Sequence, residues 1–492
     1  MNKPFIIGIS GESGVGKSSI CEMLSLLYGP ENITIISTDD LHKWERNNPA
    51  WNSITHLNPE ANNLELGDMH LLELSQNKPI YRSVYNHKTG NFNPPKKIEP
   101  KSIVIIEGLH AFYSDISQSL IDLKIFVDTN EDLRTHWKVL RDTEERGYKY
   151  NDVLDIIEKR RLDNNKIRDK QLSISDIVVE INTANKIMCL GDKHEQFELK
   201  VNIKQQKPIN HTYIIKFLQE YMTDFNLFVK ISENLGHILD ICQNAGGNIS
   251  VKSANDFMMI KASGFAMKDV NRLNGYSVIN YKEMQKEDFK NDADLSKALV
   301  KYTGKYKRPS METGMHILLK KCVIHTHAIY ITTLLCLENS EEIIKNLFSD
   351  FNYDYIKYIN PGYGLYDAFK KAKLDKDVFF LENHGIVISD ENLKEADTRL
   401  HIINSRAKDY IKQQLKEDFK PFDITYAELP TTDNFAFPDA VIFANDFSKK
   451  ETIAAHNYVN VIGNKLGKIK YLNIDDINVL KGLDSEKYRK TL

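Results

Sequence analysis

The stretch GESGVGKSS, residues 11–19, lies between the apolar run FIIGIS and the helix-like ICEMLSLLYG. No other feature leaves the chain so little choice of fold. Gly11 to Ser18 fit G-x-x-x-x-G-K-[ST], a pattern that cradles phosphate where a buried strand turns into a helix. Gly11, Gly14 and Gly16, with Glu12, Ser13 and Val15 between them, let the backbone turn its N–H groups inward around phosphate oxygens. Lys17 would reach the β- and γ-phosphates and Ser18 would hold Mg²⁺. The helix running on from Ser19 adds its positive end. The alternative is an ordinary glycine turn, which the flanking strand and helix disfavour.

Further on, the runs ITIIST, SIVIIEGL, LKIFVD and DIVVEI alternate with amphipathic helical stretches. Strands of this kind imply a parallel sheet covered on both faces. The pattern fades after about residue 220, where LFVKISENLGHILDICQ leads into NAGGNISVKSANDFMMIKASG, read as strands with glycine turns. The reading is therefore two domains, residues 1–222 and 223–492, with FPDAVIFAND to DSEKYRKTL a small appendage on the second. A length of 492 residues is compatible with that division. A formal charge of −3 leaves no electrostatic footprint for nucleic acid or an anionic membrane. No apolar run is long enough to span a bilayer, and the opening strand does not read as a signal peptide. The 5 cysteines show no CxxC spacing and no disulfide framework, which points to a reducing cytoplasm.

STDDLHKWER follows the second expected strand. An acid there can accept a proton from a hydroxyl attacking phosphate, or it can be an N-cap or a solvated turn. Glu107 in IVIIEGLH ends a buried strand, where an acid can orient a magnesium shell. KVLRDTEERG offers Lys138, Arg141 and Asp142, with Arg146 a turn later; alone, such a face is usually solvated. Together these stretches resemble the phosphoribulokinase and uridine kinase family from residue 4 to about 182, its phosphoribulokinase branch above all. DDLH...R, THLNPEANN, IYRSVYNHKTG, IIEGLHAF, KVLRDTEERG and QLSISDIV carry the resemblance, in that order. It implies a P-loop NTPase-type parallel sheet domain that uses ATP with Mg²⁺. It further implies Asp39 as the base, with His42 and Arg46 at the offsets for sugar-phosphate binding. Tyr85 and His87 match the acceptor-site pair. Glu107 matches the acid after the motif strand, and Lys138, Arg141, Asp142 and Arg146 the anion-binding cluster. Asp40 competes as base, but Asp39 has the right distance to His42 and Arg46. So many cations favour a phosphorylated acceptor, a pentulose 5-phosphate first, over a neutral nucleoside.

VIHTHAIY, in the second half, places His325 and His327 two apart, so on a strand both imidazoles share a face and can reach one metal. The plain alternative is a polar pair on an exposed face. FFLENHGIVI adds His384 where an apolar run breaks, and RPSMETGMH adds Glu312 near a helix start. Three histidines with an open fourth position are the pattern of a catalytic zinc. GGNIS, IKASG, PSMETGMH, VIHTHA and ENHG resemble the class II aldolase and adducin family over about residues 228–415. That resemblance implies an α/β/α domain with a central, largely antiparallel sheet. It makes His325, His327 and His384 ligands of Zn²⁺ or another divalent transition metal, and Glu312 the acid/base, in some members also near the metal. Asn248, Ser263, Gly264 and Ser310 match the substrate-phosphate pocket, with Met311 where a second serine is common. A tyrosine is often recruited as proton donor across a subunit boundary, with Tyr353, Tyr355, Tyr358 and Tyr488 as candidates.

The joint expectation is a cytoplasmic, bifunctional homo-oligomer, a tetramer before other forms, acting on small sugar phosphates. It is an ATP-dependent sugar-phosphate kinase joined to a zinc-dependent ketose-phosphate aldolase. The alternatives keep the kinase and make the second domain an epimerase, dehydratase or decarboxylase, or a non-catalytic oligomerisation module.

Overall fold

In the computed structural model, FIIGIS forms β1 (Phe5–Ser10), whose Ile6, Ile7 and Ile9 are fully buried on both faces. A run without polar alternation can be a strand only where both faces are covered, and a parallel sheet supplies that. The described residues are 3–86, 89–144, 147–183, 197–203, 211–253, 256–271, 274–303 and 307–483. They form two compact units, Met1–Thr223 and Asp224–Leu492.

In the first unit β1 is joined by β2 (Ile33–Ser37), β3 (Ile103–Gly108), β4 (Leu123–Thr129), β5 (Ile177–Thr183) and β6 (Phe197–Ile203). The order across the sheet is β6-β5-β4-β1-β3-β2, parallel throughout except for antiparallel β6 at the edge. Ile6, Ile36, Val104, Ile106, Phe112 and Phe126 pack into one core with Leu71 and Leu74 of the helix Leu64–Ser75. Because β1 has β3 on one side and β4 on the other, the connections diverge there and leave a crevice at the strands' carboxyl ends. The residues that follow β1, β2 and β3 all open into it.

The second unit is built on a seven-stranded sheet: β7 (Asn248–Lys252), β8 (Phe257–Lys261), β9 (Tyr276–Asn280), β10 (Cys322–Thr326), β11 (Tyr353–Ile356), β12 (Val378–Leu381) and β13 (Gly385–Asp390). Its order is β9-β8-β7-β10-β13-β12-β11, antiparallel except between β11 and β12. Both halves are α/β, the first sheet largely parallel and the second largely antiparallel. On β10, Val323 packs with Phe379, Leu381 and Val387, and His325 follows it on the same face. In register His325 stands opposite Asn248 on β7 and Val387 on β13. Among the described residues no helix is long and apolar enough to cross a membrane.

Candidate active sites

The glycine-rich turn leaves β1 at Gly11 and enters α1 (Lys17–Tyr28). Gly11, Gly14 and Gly16 take φ of 153°, 91° and 94°, which L side chains rarely adopt. A Cβ on Gly11 would in addition collide with the carbonyl oxygen of Val127 on β4. Lys17 Nζ lies over the loop, donating to the carbonyls of Gly11 (2.9 Å) and Glu12 (2.8 Å). Buried Glu12 is ion-paired with Arg134 on α2 (Glu131–Glu144), which fixes the loop's second residue from outside. Ser18 and Ser19 are exposed at the start of α1.

Residues from several elements meet in one cleft of about 1090 Å³, lined among others by Ser13, Lys17, Ser18, Asp39, His42, Arg46, Tyr85, Glu107, Lys138 and Asp142. The short 3₁₀ turn Thr38–Leu41 carries Asp39 and Asp40 straight off β2, and the Asp39 N–H donates to Ser37 Oγ (3.2 Å). Asp40 is tied elsewhere: its Oδ1 accepts from the Tyr85 N–H (2.8 Å) and its Oδ2 lies 3.5 Å from Arg82 Nε. Burial raises the Asp40 pKa despite those partners. Glu107 at the end of β3 is also raised by burial, against the pull of Lys17 and with the Asp39 charge adding to the rise. Ser37 and Glu107 are register partners, so the acids from β2 and β3 arrive side by side.

The other wall is aromatic and basic. The His42 ring meets Trp51, His56 and Tyr85 edge-on at 5.8, 5.4 and 5.2 Å. The Arg46 guanidinium stands 5.6 Å over the Tyr148 ring. On α2, Lys138 Nζ donates to Asp142 Oδ2 at 2.8 Å, both buried, and Lys138 packs against Gly14. Arg141 lies on the same helix; His87 and Arg146 fall outside the described residues.

In the second unit His325, His327 and His384 are buried, and one nitrogen of each lies within 4.8 Å of the others. His325 is on β10 and His327 just beyond its end, so only the first is a strand residue. His384 comes from the turn between β12 and β13. There Asn383 takes φ 55°, a left-handed conformation that asparagine tolerates better than most residues. His325 Nδ1 donates to the Ile386 carbonyl (2.9 Å) and His327 Nδ1 to Asp439 Oδ2 (2.8 Å). In the neutral imidazoles each Nε2 then carries a lone pair, and the two face each other at 3.2 Å. Two nitrogens bound to one tetrahedral Zn²⁺ at about 2.0–2.1 Å lie about 3.3 Å apart, so the donors fit such an ion. Burial pushes the His325 imidazole down to about 3, keeping it a neutral donor at physiological pH.

Glu312 stands at the N-terminal end of α3 (Thr313–Leu318), with Oε1 3.2 Å from His384 Nε2 and Oε2 3.5 Å from His325 Nε2. Asn248 Nδ2 donates to Glu312 Oε2 (2.6 Å) and reaches Ser310 Oγ (3.2 Å). The loop of Ser263 and Gly264 adjoins Ser310: the Ser263 N–H donates to Arg308 O (2.9 Å), and Ala262 bridges Pro309. Asn248 and Ser310 are thus linked to Glu312 beside the histidines, with Met311 buried between Ser310 and Glu312 in sequence; Ser263 and Gly264 meet the stretch just before Ser310.

Residues 6–188 match the model of the Phosphoribulokinase / Uridine kinase family, and residues 228–411 that of the Class II Aldolase and Adducin N-terminal domain. Phosphoribulokinase of Synechocystis sp. is 35% identical over 181 residues, 37% of this chain and 54% of that protein. Uridine kinase of Brevibacillus brevis is 32% identical over 157 residues, 31% of this chain and 73% of that protein. The chain belongs to the phosphoribulokinase and uridine kinase family. It spans about half the length of the curated phosphoribulokinases it matches. Among solved structures, the N-terminal class II aldolase domain of a conserved protein from Thermoplasma acidophilum aligns at 28% identity and a TM-score of 0.35. That alignment covers 38% of this chain and 93% of that one. A kinase domain of the phosphoribulokinase and uridine kinase type is thus joined to a class II aldolase-like domain.

Several residues of these two domains escape a reading of motifs. In the kinase domain Arg82 is buried, pairs with Asp40 and donates to the Ser37 carbonyl, so it braces the turn that bears Asp39. Its signal was a lone arginine in the apolar stretch IYRSV. Arg82→Ala would leave the Asp40 carboxyl buried without its cation. It is expected to cost about 3–5 kcal/mol of stability in this domain, measured by chemical denaturation. In the aldolase-like domain His316 Nε2 donates to Asn248 Oδ1, and Ser250 Oγ meets His316 Nδ1 at 2.7 Å. That chain fixes which way the Asn248 amide points. Among the tyrosines, Tyr355 O–H lies 2.7 Å from Ser340 Oγ and Tyr358 O–H donates to Asn360 Oδ1 at 2.9 Å. Tyr353 packs on Phe380, and Tyr488 lies outside the described residues.

Proposed function

We propose that the chain is a bifunctional enzyme of carbohydrate metabolism. Its first half is an ATP- and Mg²⁺-dependent kinase of a sugar phosphate, a pentulose 5-phosphate before others. Its second half is a zinc-dependent aldolase that cleaves or forms a ketose phosphate. The kinase reading rests on one observation above all: Lys17 of the phosphate loop lines the same cleft as Asp39, Arg46 and Lys138. In this reading Lys17 and the N–H groups of residues 11–19 hold the β- and γ-phosphates, and Ser18 and Glu107 serve Mg²⁺. Asp39 takes the proton from the acceptor hydroxyl. Asp40 is the poorer base, because Tyr85 and Arg82 already engage its carboxylate. His42, Arg46, Tyr85, His87, Lys138, Arg141, Asp142 and Arg146 receive the sugar phosphate. A neutral nucleoside brings no charge to match the arginines and lysine among them.

In the second half the three clustered imidazoles supply a donor set that would leave a tetrahedral ion one further position for a substrate oxygen. A bound zinc ion would polarise a ketose carbonyl as a Lewis acid. Glu312, aimed by Asn248, holds or moves the proton, and Asn248, Ser263, Gly264 and Ser310 grip the substrate phosphate. A kinase that phosphorylates C1 of a ketose 5-phosphate makes what an aldolase specific for C1-phosphorylated ketoses consumes, so the steps are read as consecutive. A cytoplasmic homo-oligomer assembled through residues 223–492 completes the proposal.

The test is a panel of phosphorylated pentuloses and hexuloses given to the full-length protein with ATP. A pentulose 5-phosphate should be phosphorylated, and carbonyl fragments should follow. Efficient phosphorylation of uridine, or of an unphosphorylated pentulose, would sink the sugar-phosphate assignment. Epimerised, dehydrated or decarboxylated products in place of fragments would move the second half to those activities. Arg46→Ala is expected to raise KM for the sugar phosphate about tenfold or more, the size of a charge-assisted hydrogen bond, with little change in KM for ATP.

A further inference from the structure

Beyond residue 411, where the family model ends, the chain turns back onto the metal-ligand cluster. Asp439, in the first turn of α4 (Pro438–Phe443), is buried, and its Oδ2 accepts from His327 Nδ1 at 2.8 Å. The same segment grips the turn that bears His384. Asn383 Nδ2 donates to the carbonyls of Ala436 (2.7 Å) and Lys470 (2.6 Å), and Lys470 Nζ pairs with Glu382 at 2.8 Å. Residues 436–470 therefore contact His327 directly and hold the two residues that precede His384.

We infer that this C-terminal segment is a working part of the metal centre, with Asp439 the positioning residue for His327. The inference rests on the zinc reading above and adds to it a residue and a segment that lie outside the family match. A carboxylate on the far nitrogen of a ligating imidazole does two things. It fixes the tautomer, so that Nε2 keeps its lone pair, and it raises the basicity of that nitrogen. Asparagine at residue 439 has the same shape but no charge, and can turn its NH₂ toward Nδ1. The imidazole is then free to place its proton on Nε2, the nitrogen the metal needs. A second route to the same contact is steric: a Cβ on Gly246 would lie 2.6 Å from Asp439 Oδ2 and 3.3 Å from His327 Nδ1. Gly246→Ala should displace that hydrogen bond without altering either partner.

The experiment strips the full-length protein of metal, then titrates in Zn²⁺ against a chromophoric chelator, and Co²⁺ for its visible spectrum. Wild type should bind about one ion per chain. Asp439→Asn should weaken Zn²⁺ binding about 10- to 100-fold and alter the Co²⁺ spectrum, with the metal-free melting temperature near wild type. Asp439→Glu should recover part of the affinity, and Gly246→Ala should lose some. Lys468→Ala removes an exposed ion pair with Glu338 in the same segment and should bind as wild type does. Wild-type affinity and spectrum in Asp439→Asn would overturn the inference while leaving the zinc reading standing. So would an Asp439→Asn protein that melts early but, where folded, binds normally. A wild-type protein that binds no Zn²⁺ would overturn both.

Discussion

His327→Ala, prepared at full length, should lose carbon–carbon cleavage below detection while its kinase activity stays within about twofold of wild type. The expected loss is total because the substitution removes one of three neutral nitrogens from a buried cluster that holds no further described histidine ligand. Stripping the metal from wild type should reproduce the lyase loss, and resupplied Mg²⁺ should restore phosphorylation, since the proposed Mg²⁺ site lies at the phosphate loop and not at the histidines. Metal content and both activities on the same preparation make the check. Loss of both activities in folded protein would mean that the two centres depend on each other. Full lyase activity without bound metal would remove the aldolase chemistry.

Asp39→Asn should lower kinase turnover by about 10²-fold or more, the scale of a positioned general base, and leave ATP binding nearly intact. Asp40→Asn should cost far less turnover and more stability, because that carboxyl is buried against Arg82 and the Tyr85 N–H. Steady-state kinetics and denaturation of the two variants side by side decide it; the reverse ranking would hand the base role to Asp40. Lys17→Ala belongs to a third class, in which ATP binding and turnover fall together through lost charge on the phosphates.

What is legible in the sequence follows the range of the interactions involved. The turn at residues 11–19 was legible because its glycines, lysine and flanking strand and helix are contiguous. The neighbourhood of His325 and His327 was legible through the two-residue repeat of a strand, although His327 turns out to sit just past the strand's end. The largely antiparallel second sheet followed from the resemblance, and nothing local in YDYI or VFFL distinguishes its one parallel pair. Antiparallel β6 likewise carries no mark of its direction. Residues that act by reaching across the fold gave no such signal. Asp439 meets His327 from 112 positions away, and Arg82 meets Ser37 from 45. A lone aspartate after a proline, or a lone arginine in an apolar run, looks like any surface charge until its burial is known.

The pairing of β1 has a consequence for synthesis. The strand is translated long before its neighbours: Phe5 pairs with Ile103 and Ile7 with Leu123. A nascent chain therefore holds FIIGIS uncovered on both edges until β3 and β4 have left the ribosome. Contacts this distant in sequence form slowly, and an apolar strand waiting for them is open to mispairing. The phosphate loop has its backing at Val127, so it can take its shape only after residues near 127 have been added. Truncations that end before β4 should accordingly be insoluble rather than weak nucleotide binders, and chaperone contact should concentrate on the stretch of translation between β1 and β4.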